Sequence, residues 1–271
     1  MRRPSRSLLN PKNLLWLGRC IVSPRGYAEV NLLNGKYRMQ VPHQLRGNSR
    51  LCYLYQDQYD PSIAILPYLI LPGMRVIDVG AHYGIYAIIL SQLCGSTGGV
   101  IAYEPVPEHC RYLYRNIVLY KLPNIQVKQA ALSDIDGFGV IQINKDRSRT
   151  SIRTDINENT PPSTILRLSS LDNTLKVTPK ISFVKIDTEG FDGKVIRGMS
   201  QLMKRDHPIV QFEINDSGLK EEIMQLLLEV DYQFLSISDL CDLKNIPKAK
   251  NLKDCNNYYG CLLYTSPSPR D

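Results

Sequence analysis

Short apolar runs alternate with stretches of helical periodicity along most of the chain. The runs are rich in Val and Ile and are bounded by Gly, Pro or polar residues, which is typical of buried strands. Between them, apolar residues recur three and four positions apart, as they do on one face of a helix. Strands are predicted over 75–80, 100–103, 125–132, 181–186 and 208–214. Helices are predicted from Gly84 to Cys94, from Pro107 to about Leu122, after Gly190 to about Lys204, and from Ser217 to about Val230.

The order of these elements predicts the fold class. Strands that alternate with helices form right-handed β-α-β units, so we expect a mostly parallel sheet with helices on both faces. Two last apolar runs, 233–237 and 258–264, have no clear helix between them, and one of them should therefore run antiparallel at the end of the sheet. The less regular region 137–180 is predicted to hold an extra strand over 139–144, a loop over 160–163 and a short helix over 169–175. The sequence predicts one α/β domain.

Composition and charge are compatible with such a domain. The chain has 271 residues, of which 43% are hydrophobic, and this is enough to bury a full core. The formal net charge is +7, but much of the excess precedes the first acid, Glu29. The basic residues of that segment are Arg2, Arg3, Arg6, Lys12, Arg19 and Arg25. Because the remaining body is nearly balanced, no dedicated nucleic-acid surface is predicted.

The two ends of the chain are set apart from the main domain. Residues 1–59 are predicted to form a basic N-terminal arm and accessory segment, residues 60–264 the folded domain, and residues 265–271 a non-native or disordered tail. The acid-free, Arg-rich start fits a disordered arm, with an organellar transit peptide as the alternative. No apolar run reaches the ~18 residues that a membrane span needs. We therefore expect a soluble, cytoplasmic protein.

The turn after the first predicted strand is the first candidate for chemistry. In sheets of this kind, ligands bind beyond the carboxyl ends of the strands, where the strand order reverses. The dinucleotide fingerprint G-x-G-x-x-G is absent, since Gly80 and Gly84 are separated by three residues and His82 stands where close backbone approach needs glycine. No Walker loop follows any strand either. A pyrophosphate ligand is therefore disfavoured.

A metal ion on His82 is the second alternative. The four histidines form neither an H-x-x-x-H nor an H-E-x-x-H motif, and the seven cysteines contain no C-x-x-C pair. The acids that could gather around an ion with His82 are Asp187, Glu189 and Glu213. We predict no metal, and we expect His82 to pack in the loop and the cysteines to be reduced and mostly buried.

Glu104 supplies a second part of a nucleoside site. It ends the second predicted strand, 26 residues after Asp78. A carboxylate in this place can accept hydrogen bonds from both ribose hydroxyls, but nicotinamide-binding proteins use an acid there as well. Glu104 alone therefore does not choose between the cofactors.

Six segments carry a recognisable pattern in order along the chain. They are Val76–Gly84, Tyr103–Glu108, Gln129–Asp134, Leu171–Asp172, Lys185–Gly190 and Gln211–Ile214. Together they resemble the FkbM-type family of S-adenosylmethionine-dependent methyltransferases. Each is weak alone, whereas the ordered set, which covers about residues 60–215, is specific. The chain departs from the family at His82, where Asn is common, and at Pro67, which interrupts the helix expected before the first strand.

The resemblance implies a class I methyltransferase fold over residues 60–264, Rossmann-like, with a seven-stranded sheet and one antiparallel strand. It also implies S-adenosyl-L-methionine as the cofactor. Asp78, Gly80 and Gly84 are thereby assigned to its methionine end, Glu104 to its ribose, and Ser133 and Asp134 to its adenine edge. The full expected cofactor set is Asp78, Gly80, Ala81, His82, Tyr83, Gly84, Glu104, Pro105, Ser133, Asp134 and Asp187.

The chemistry follows from this cofactor. Methyl transfer is an in-line displacement that requires donor and acceptor to be held collinear in a site shielded from water. A hydroxyl acceptor also needs a base to remove its proton. The candidate bases are Asp187, then Glu189, then Glu213. Asp187 and Glu189 could instead cap the following helix, where carboxylates favour the N-terminal dipole.

The acceptor expected from the resemblance is a small molecule or a carbohydrate with a free hydroxyl. RNA or protein as the acceptor, docked by the basic arm, is the alternative within the same fold. A cofactor-binding module without catalysis and a nicotinamide oxidoreductase are alternatives of other classes. Arg147, Arg149 and Arg153 could meet an acidic substrate or form a solvated loop. The sequence does not predict the oligomeric state.

Overall fold

The structure is a computed structural model that describes most of the chain. The described residues are 11–23, 25–44, 48–56, 60–143, 150–154, 165–176, 179–188, 190–214, 217–243 and 257–261. The candidate base Glu189, most of the predicted Arg147–Arg153 cluster and the tail 265–271 lie outside them.

Ten helices and thirteen strands are formed by the described residues. The helices are α1 (Pro11–Val22), α2 (Asn48–Tyr55), α3 (Leu66–Leu69), α4 (Ile85–Cys94), α5 (Pro107–Leu119), α6 (Leu171–Thr174), α7 (Asp192–Arg197), α8 (Ser200–Asp206), α9 (Ser217–Leu228) and α10 (Ile237–Leu243), and a 3₁₀ helix (Pro61–Ile65) precedes α3. The strands are β1 (Tyr27–Leu32), β2 (Tyr37–Pro42), β3 (Arg75–Val79), β4 (Gly99–Tyr103), β5 (Ile125–Lys128), β6 (Ala131–Leu132), β7 (Gly137–Ile143), β8 (Thr150–Arg153), β9 (Ile165–Ser169), β10 (Phe183–Ile186), β11 (Ile209–Glu213), β12 (Gln233–Ser236) and β13 (Asn257–Cys261).

A seven-stranded sheet forms the centre of the fold. Its strand order is β12-β13-β11-β10-β3-β4-β5. β13 pairs antiparallel with β11 and β12, whereas β3, β4, β5, β10 and β11 pair parallel. The predicted mostly parallel sheet with one antiparallel strand is confirmed. The strand order reverses between β3 and β10, so the carboxyl ends of these two strands are where a ligand site is expected.

The irregular region forms a second, four-stranded sheet with the order β6-β9-β7-β8. The prediction of a single strand over 125–132 is wrong, because this region forms two strands in different sheets. β5 belongs to the large sheet, and the chain then turns at Ala130 so that β6 joins the small sheet. The short helix predicted over 169–175 is α6, which begins where the Ser170 hydroxyl accepts the N–H of Asn173. This sheet brings Ile152 of β8 to the end of the large sheet.

The long helix predicted after β10 is two helices. The carboxylate of Asp172 accepts the N–H groups of Gln201 and Leu202, at 3.0 and 2.8 Å, and so caps the beginning of α8. Helix α10, between β12 and β13, was not predicted. The interruption expected at Pro67 is present, since this residue lies in the first turn of the short helix α3.

The described part of the N-terminal segment folds against the domain. β1 and β2 form an antiparallel hairpin, and Val30 and Met39 on it are buried in the core that β2 shares with α4 and α5. Trp16 of α1 is fully buried, and its indole N–H donates to the carbonyl of Gln44 at 2.8 Å. Residues 11–22 are thus helical rather than disordered, and residues 1–10 lie outside the described residues. Among the described helices, none has both the length and the apolar character to cross a bilayer.

Candidate functional site

A cleft opens at the carboxyl ends of β3, β4 and β10, at the position where the strand order reverses. Seven of the predicted residues line it, namely Gly80, Ala81, His82, Tyr83, Glu104, Pro105 and Asp187. The residues that complete the lining include Cys52, Asp60, Tyr86, His109, Ala130, Ala131, Leu132, Ile152, Lys185 and Thr188.

The turn after β3 is held by backbone hydrogen bonds to its neighbours. The N–H groups of Gly80 and Ala81 both donate to the carbonyl of Tyr103, at 2.9 and 3.0 Å, and the N–H of Asp187 donates to the carbonyl of Val79 at 3.1 Å. Gly80 has a φ of +77°, and a Cβ there would overlap the carbonyl oxygen of Asp187. Glycine is therefore required at this position both by conformation and by the close approach of β10.

Two further residues of the turn adopt left-handed backbone conformations. Gly84 has a φ of +98° immediately before α4, and a Cβ on it would overlap the side chain of Leu113. His82 has a φ of +50°. Asn and His are among the few residue types enriched in this region, so His82 can replace the Asn common in the family without changing the backbone.

Glu104 is buried and oriented by the turn. Its Oε2 accepts the backbone N–H of His82 at 2.8 Å, and its Oε1 accepts the backbone N–H of Val106 at 2.9 Å. The Nδ1 of His109 lies 3.1 Å from Oε1. A carboxylate has about four acceptor sites, two on each oxygen, so these three contacts leave about one acceptor site, on Oε2.

The ring of His82 packs at an angle against two neighbouring rings beside Glu104. The centroid of its ring lies 3.8 Å from that of Tyr83 and 4.0 Å from that of His109. Burial lowers the pKa of His82 well below its usual value, and His109 and Lys185 lower it further. The imidazole of His82 is therefore neutral at pH 7. Among the described residues, no group of three or more His, Cys, Asp or Glu is arranged to hold a metal ion.

Lys185 links two carboxylates, one in the cleft and one beneath it. Its Nζ lies 3.3 Å from Oδ2 of Asp187 and 3.7 Å from Oδ1 of Asp78. Burial lowers the pKa of Lys185, but Asp187 and Asp78 outweigh that effect and raise it above the usual value. Burial also raises the pKa of Asp78 to about 6, with Lys185 acting in the opposite direction. At neutral pH the Lys185 cation therefore faces an ionised Asp78.

Tyr86 closes the cleft on the side away from Glu104. Its hydroxyl donates to Oδ2 of Asp60 at 2.5 Å and accepts from Nε2 of Gln211 at 2.8 Å. The ammonium of Lys185 lies 4.9 Å from the centroid of the Tyr86 ring. Burial raises the pKa of Tyr86 well above its usual value, and the carboxylate of Asp60 raises it further. The phenol is therefore a neutral, fixed wall of the cleft.

The sequence from Asp78 to Phe234 places this site in a known family. Residues 78–234, more than half of the chain, match the methyltransferase FkbM domain. The chain belongs to the FkbM methyltransferase family. The resemblance seen in the six sequence segments is thereby confirmed, and with it the class I methyltransferase fold, whose strand order the large sheet has. Comparison with curated proteins gives no significant match.

Solved methyltransferases are similar to the chain in fold. The methyltransferase FkbM from Methylobacillus flagellatus is 13% identical with a TM-score of 0.46, and the match covers 68% of this chain and 48% of that one. A SAM-dependent methyltransferase from Aquifex aeolicus is 16% identical with a TM-score of 0.40, and the match covers 75% and 89%. Fibrillarin from Aeropyrum pernix, solved with natively bound S-adenosyl-L-methionine, is 10% identical with a TM-score of 0.40, and the match covers 72% and 68%. The chain spans about half the length of the Methylobacillus protein.

Five residues of the predicted FkbM site lie away from the surface of the cleft. Asp78 is fully buried below it, and Gly84 packs on α5. Ser133 is buried, and its hydroxyl donates to the carboxylate of Asp134 at 3.0 Å. Asp134 also pairs with Arg197 at 3.2 Å. In this part of the chain the cleft is lined by Ala130, Ala131 and Leu132. Glu213 follows Phe212, which lies opposite Ile186, so it is one strand farther out than Asp187.

The alternative role of Asp187, as a cap of the following helix, is not seen, since α7 begins without a side-chain cap. The carboxylate of Asp192 accepts the Thr188 hydroxyl at 2.8 Å, within the turn that leads into α7. The carboxylate of Asp187 instead faces the ammonium of Lys185. Asp187 thus remains available at the surface of the cleft, with a side chain that is 40% exposed.

Sequence reasoning missed Lys185, Tyr86 and Asp60. A signal for Lys185 existed, because it precedes Asp187 by two positions on a strand and therefore points to the same face. Tyr86 and Asp60 carried no comparable signal. They meet only because the 3₁₀ helix at Pro61–Ile65, which Asp60 caps, packs next to the beginning of α4.

Proposed function

We propose that the cleft binds S-adenosyl-L-methionine and that the chain transfers its methyl group to a hydroxyl of an uncharged small molecule or sugar. The bound cofactor supplies an electrophilic methyl group on a positively charged sulfonium. The observation that carries the proposal is the joint placement of Glu104 and Asp187 at the carboxyl ends of strands on either side of β3, with the turn at Gly80 between them.

The residues of the cleft fit the chemical groups of this cofactor. Glu104 offers an oriented carboxylate oxygen, Oε2, to a ribose hydroxyl, since backbone N–H groups already fix the position of the carboxylate. Ala130, Ala131 and Leu132 offer an apolar edge for an adenine ring. The turn at Gly80 brings backbone close to the methionine end, and the carboxylates nearby complement a cation.

Asp187 is the proposed base. It is partly exposed within the cleft, and the contact with Lys185 fixes its carboxylate without covering it. With the cofactor bound to supply the methyl group, the carboxylate of Asp187 would take the proton that the acceptor hydroxyl loses. Proton transfer to a positioned side chain contributes about 10² to 10⁴ in rate. Asp78 is not a candidate, because it is fully buried.

The charges of the cleft favour an uncharged acceptor. The described charged side chains of the lining are three carboxylates, on Asp60, Glu104 and Asp187, and one ammonium, on Lys185. An anionic acceptor about 4 Å from one of these carboxylates would be repelled by on the order of 4 kcal/mol at an effective dielectric constant of about 20. Tyr83 and Tyr86 add flat aromatic walls, which suit the apolar faces of a sugar ring.

Matched acceptor pairs test this proposal. The purified chain is incubated with methyl-labelled S-adenosylmethionine and with neutral glycosides or their uronic acid counterparts, and products are identified by mass spectrometry. Label is expected in the neutral member of a pair and not in the acidic one. Label in RNA or protein would overturn the proposed acceptor. Cofactor binding without methylation of any acceptor would overturn the proposed catalysis.

A further inference from the structure

Helix α1 exposes an apolar face to solvent. Its opposite face is buried in the domain through Asn13, Trp16 and Cys20. The exposed face carries four large apolar side chains, with exposed fractions of 53% for Leu14, 53% for Leu15, 75% for Ile21 and 86% for Val22. Single exposed apolar residues are ordinary, but a contiguous group of them marks an interaction surface.

The four side chains lie on one side of the helix and define an apolar stripe. At 3.6 residues per turn, Leu14, Gly18 and Ile21 lie nearly in line, with Leu15 and Val22 beside them, over an arc of about 120°. Lys12 and Arg19 border this stripe on one side. The guanidinium of Arg19 lies 5.4 Å from the centroid of the Tyr53 ring, which anchors it at the edge of the domain.

The segment of sequence that carries the stripe has charges of a single sign. Six basic residues and no acid precede Glu29 in the sequence, and two of the six are the bordering Lys12 and Arg19. An apolar stripe with basic flanks is the pattern of helices that lie in the plane of a membrane interface. The basic side chains there reach the lipid phosphates while their apolar stems cover hydrocarbon.

We propose that this face of α1 docks onto an anionic membrane surface. Leu14, Leu15, Ile21 and Val22 enter the boundary between headgroups and acyl chains, and Lys12 and Arg19 of the same helix bind the headgroup phosphates. The buried face of α1, through Trp16, holds the domain at the membrane.

The observations favour a lipid surface over two other partners. RNA would satisfy the basic residues but would leave the apolar stripe in water. A second copy paired through this face in a two-fold arrangement would bring the two sets of basic residues together, where like charges repel. The proposal rests on α1 alone and is independent of the proposed catalysis.

Vesicle flotation tests the proposal with the full chain. The probes are vesicles of phosphatidylcholine alone and vesicles that also contain about 30% phosphatidylserine, at about 0.1 M salt. We expect the chain to float with the anionic vesicles and to dissociate at about 1 M salt, where charges are screened within about 3 Å. The double variant Leu15→Glu/Val22→Glu should bind at least about tenfold more weakly.

A matched double variant controls for the added charge. Val118→Glu/Leu228→Glu introduces the same substitutions at exposed positions of α5 and α9, and should float like the wild type. The proposal would be overturned if the chain floated with neither kind of vesicle, or if the α1 variant bound vesicles as well as the wild type. It would also be overturned if the chain bound no vesicles but self-associated, and the α1 variant lost this self-association. Binding of polyuridylate in place of vesicles would overturn it too. Thermal unfolding shows whether each variant remains folded.

Discussion

Lys185 and Asp78 lie opposite each other on the paired strands β10 and β3, with 3.7 Å between Nζ and Oδ1. Both side chains are almost fully buried, and no other described side chain bonds to the Asp78 carboxylate. The same ammonium lies 3.3 Å from Asp187. Lys185 therefore couples the stability of the sheet to the position of the proposed base.

Removing the cation should destabilise the fold. In Lys185→Met, Asp78 stays buried without its ion-pair partner, and removal of one member of a buried pair costs about 3 to 5 kcal/mol. Lys185→Arg keeps a cation in place and should lose much less. Urea unfolding at pH 7.5 measures both. A Lys185→Met variant as stable as the wild type would show that the pair contributes nothing.

Asp78 should make stability depend on pH. Burial raises its pKa from 3.8 to about 6, so the folded protein binds more protons than the unfolded chain between these values. The stabilisation from its protonated form is fully present below about pH 4 and is lost as the pH rises through about 6, to an extent of about 3 kcal/mol. Asp78→Asn lacks this titration. The free energy of unfolding of Asp78→Asn minus that of the wild type should therefore increase from pH 4 to pH 8. A difference that stays constant over this range would contradict the raised pKa of Asp78.

Gly80 should be more sensitive to substitution than another glycine of the same conformation. Gly35 has a φ of +80°, and a Cβ on it would have no atom within 4 Å. At Gly80, in contrast, a Cβ would meet the carbonyl of Asp187. Gly35→Ala should cost about 1 to 2 kcal/mol from conformation alone. Gly80→Ala adds an overpacking cost of about 1 to 3 kcal/mol. Equal losses in thermal unfolding would show that β10 does not press on the turn.

Much of the fold followed from periodicity, and the exceptions have physical reasons. The strands of the large sheet are buried apolar runs, which a local pattern detects. The change of sheet after Lys128 leaves no such mark, because β5 and β6 are both short strands and only their partners differ. Helix α10 was missed because its seven residues are too few to show helical periodicity clearly.

The residues of the candidate site that could be predicted are those that belong to a short sequence motif at the end of a strand. The turn at Gly80 and the strand-end acids Glu104 and Asp187 are local features, and they line the cleft. Lys185 was missed because a lysine within an apolar run is ordinarily exposed, and its burial depends on carboxylates from two strands. Ser133 and Asp134 are predicted at the adenine edge; their side chains bond to each other and to Arg197, and the preceding residues Ala130, Ala131 and Leu132 line the cleft.

Asp187→Asn separates the proposed base from the cofactor site. Turnover on a hydroxyl acceptor should fall by about 10² to 10⁴, since the amide cannot take the proton, while cofactor affinity stays nearly unchanged. Asp231→Asn is the matched control, because Asp231 is exposed and Asn tolerates its φ of +60°. Steady-state kinetics with labelled cofactor measures both variants. Wild-type turnover in Asp187→Asn would remove this residue from the mechanism.

The central claim is that the cleft binds S-adenosyl-L-methionine through Glu104, and calorimetric titration of this cofactor tests it most directly. The variant is Glu104→Gln. The control is Glu222→Gln, because Glu222 is a partly exposed residue on α9. The wild type and Glu222→Gln should bind the cofactor alike. Glu104→Gln should bind at least about tenfold more weakly, because hydrogen bonds to an ionised acceptor are worth about 1.5 to 3 kcal/mol each. A wild-type chain that binds no S-adenosyl-L-methionine, or a folded Glu104→Gln variant that binds it as tightly as the wild type, would contradict the proposed site.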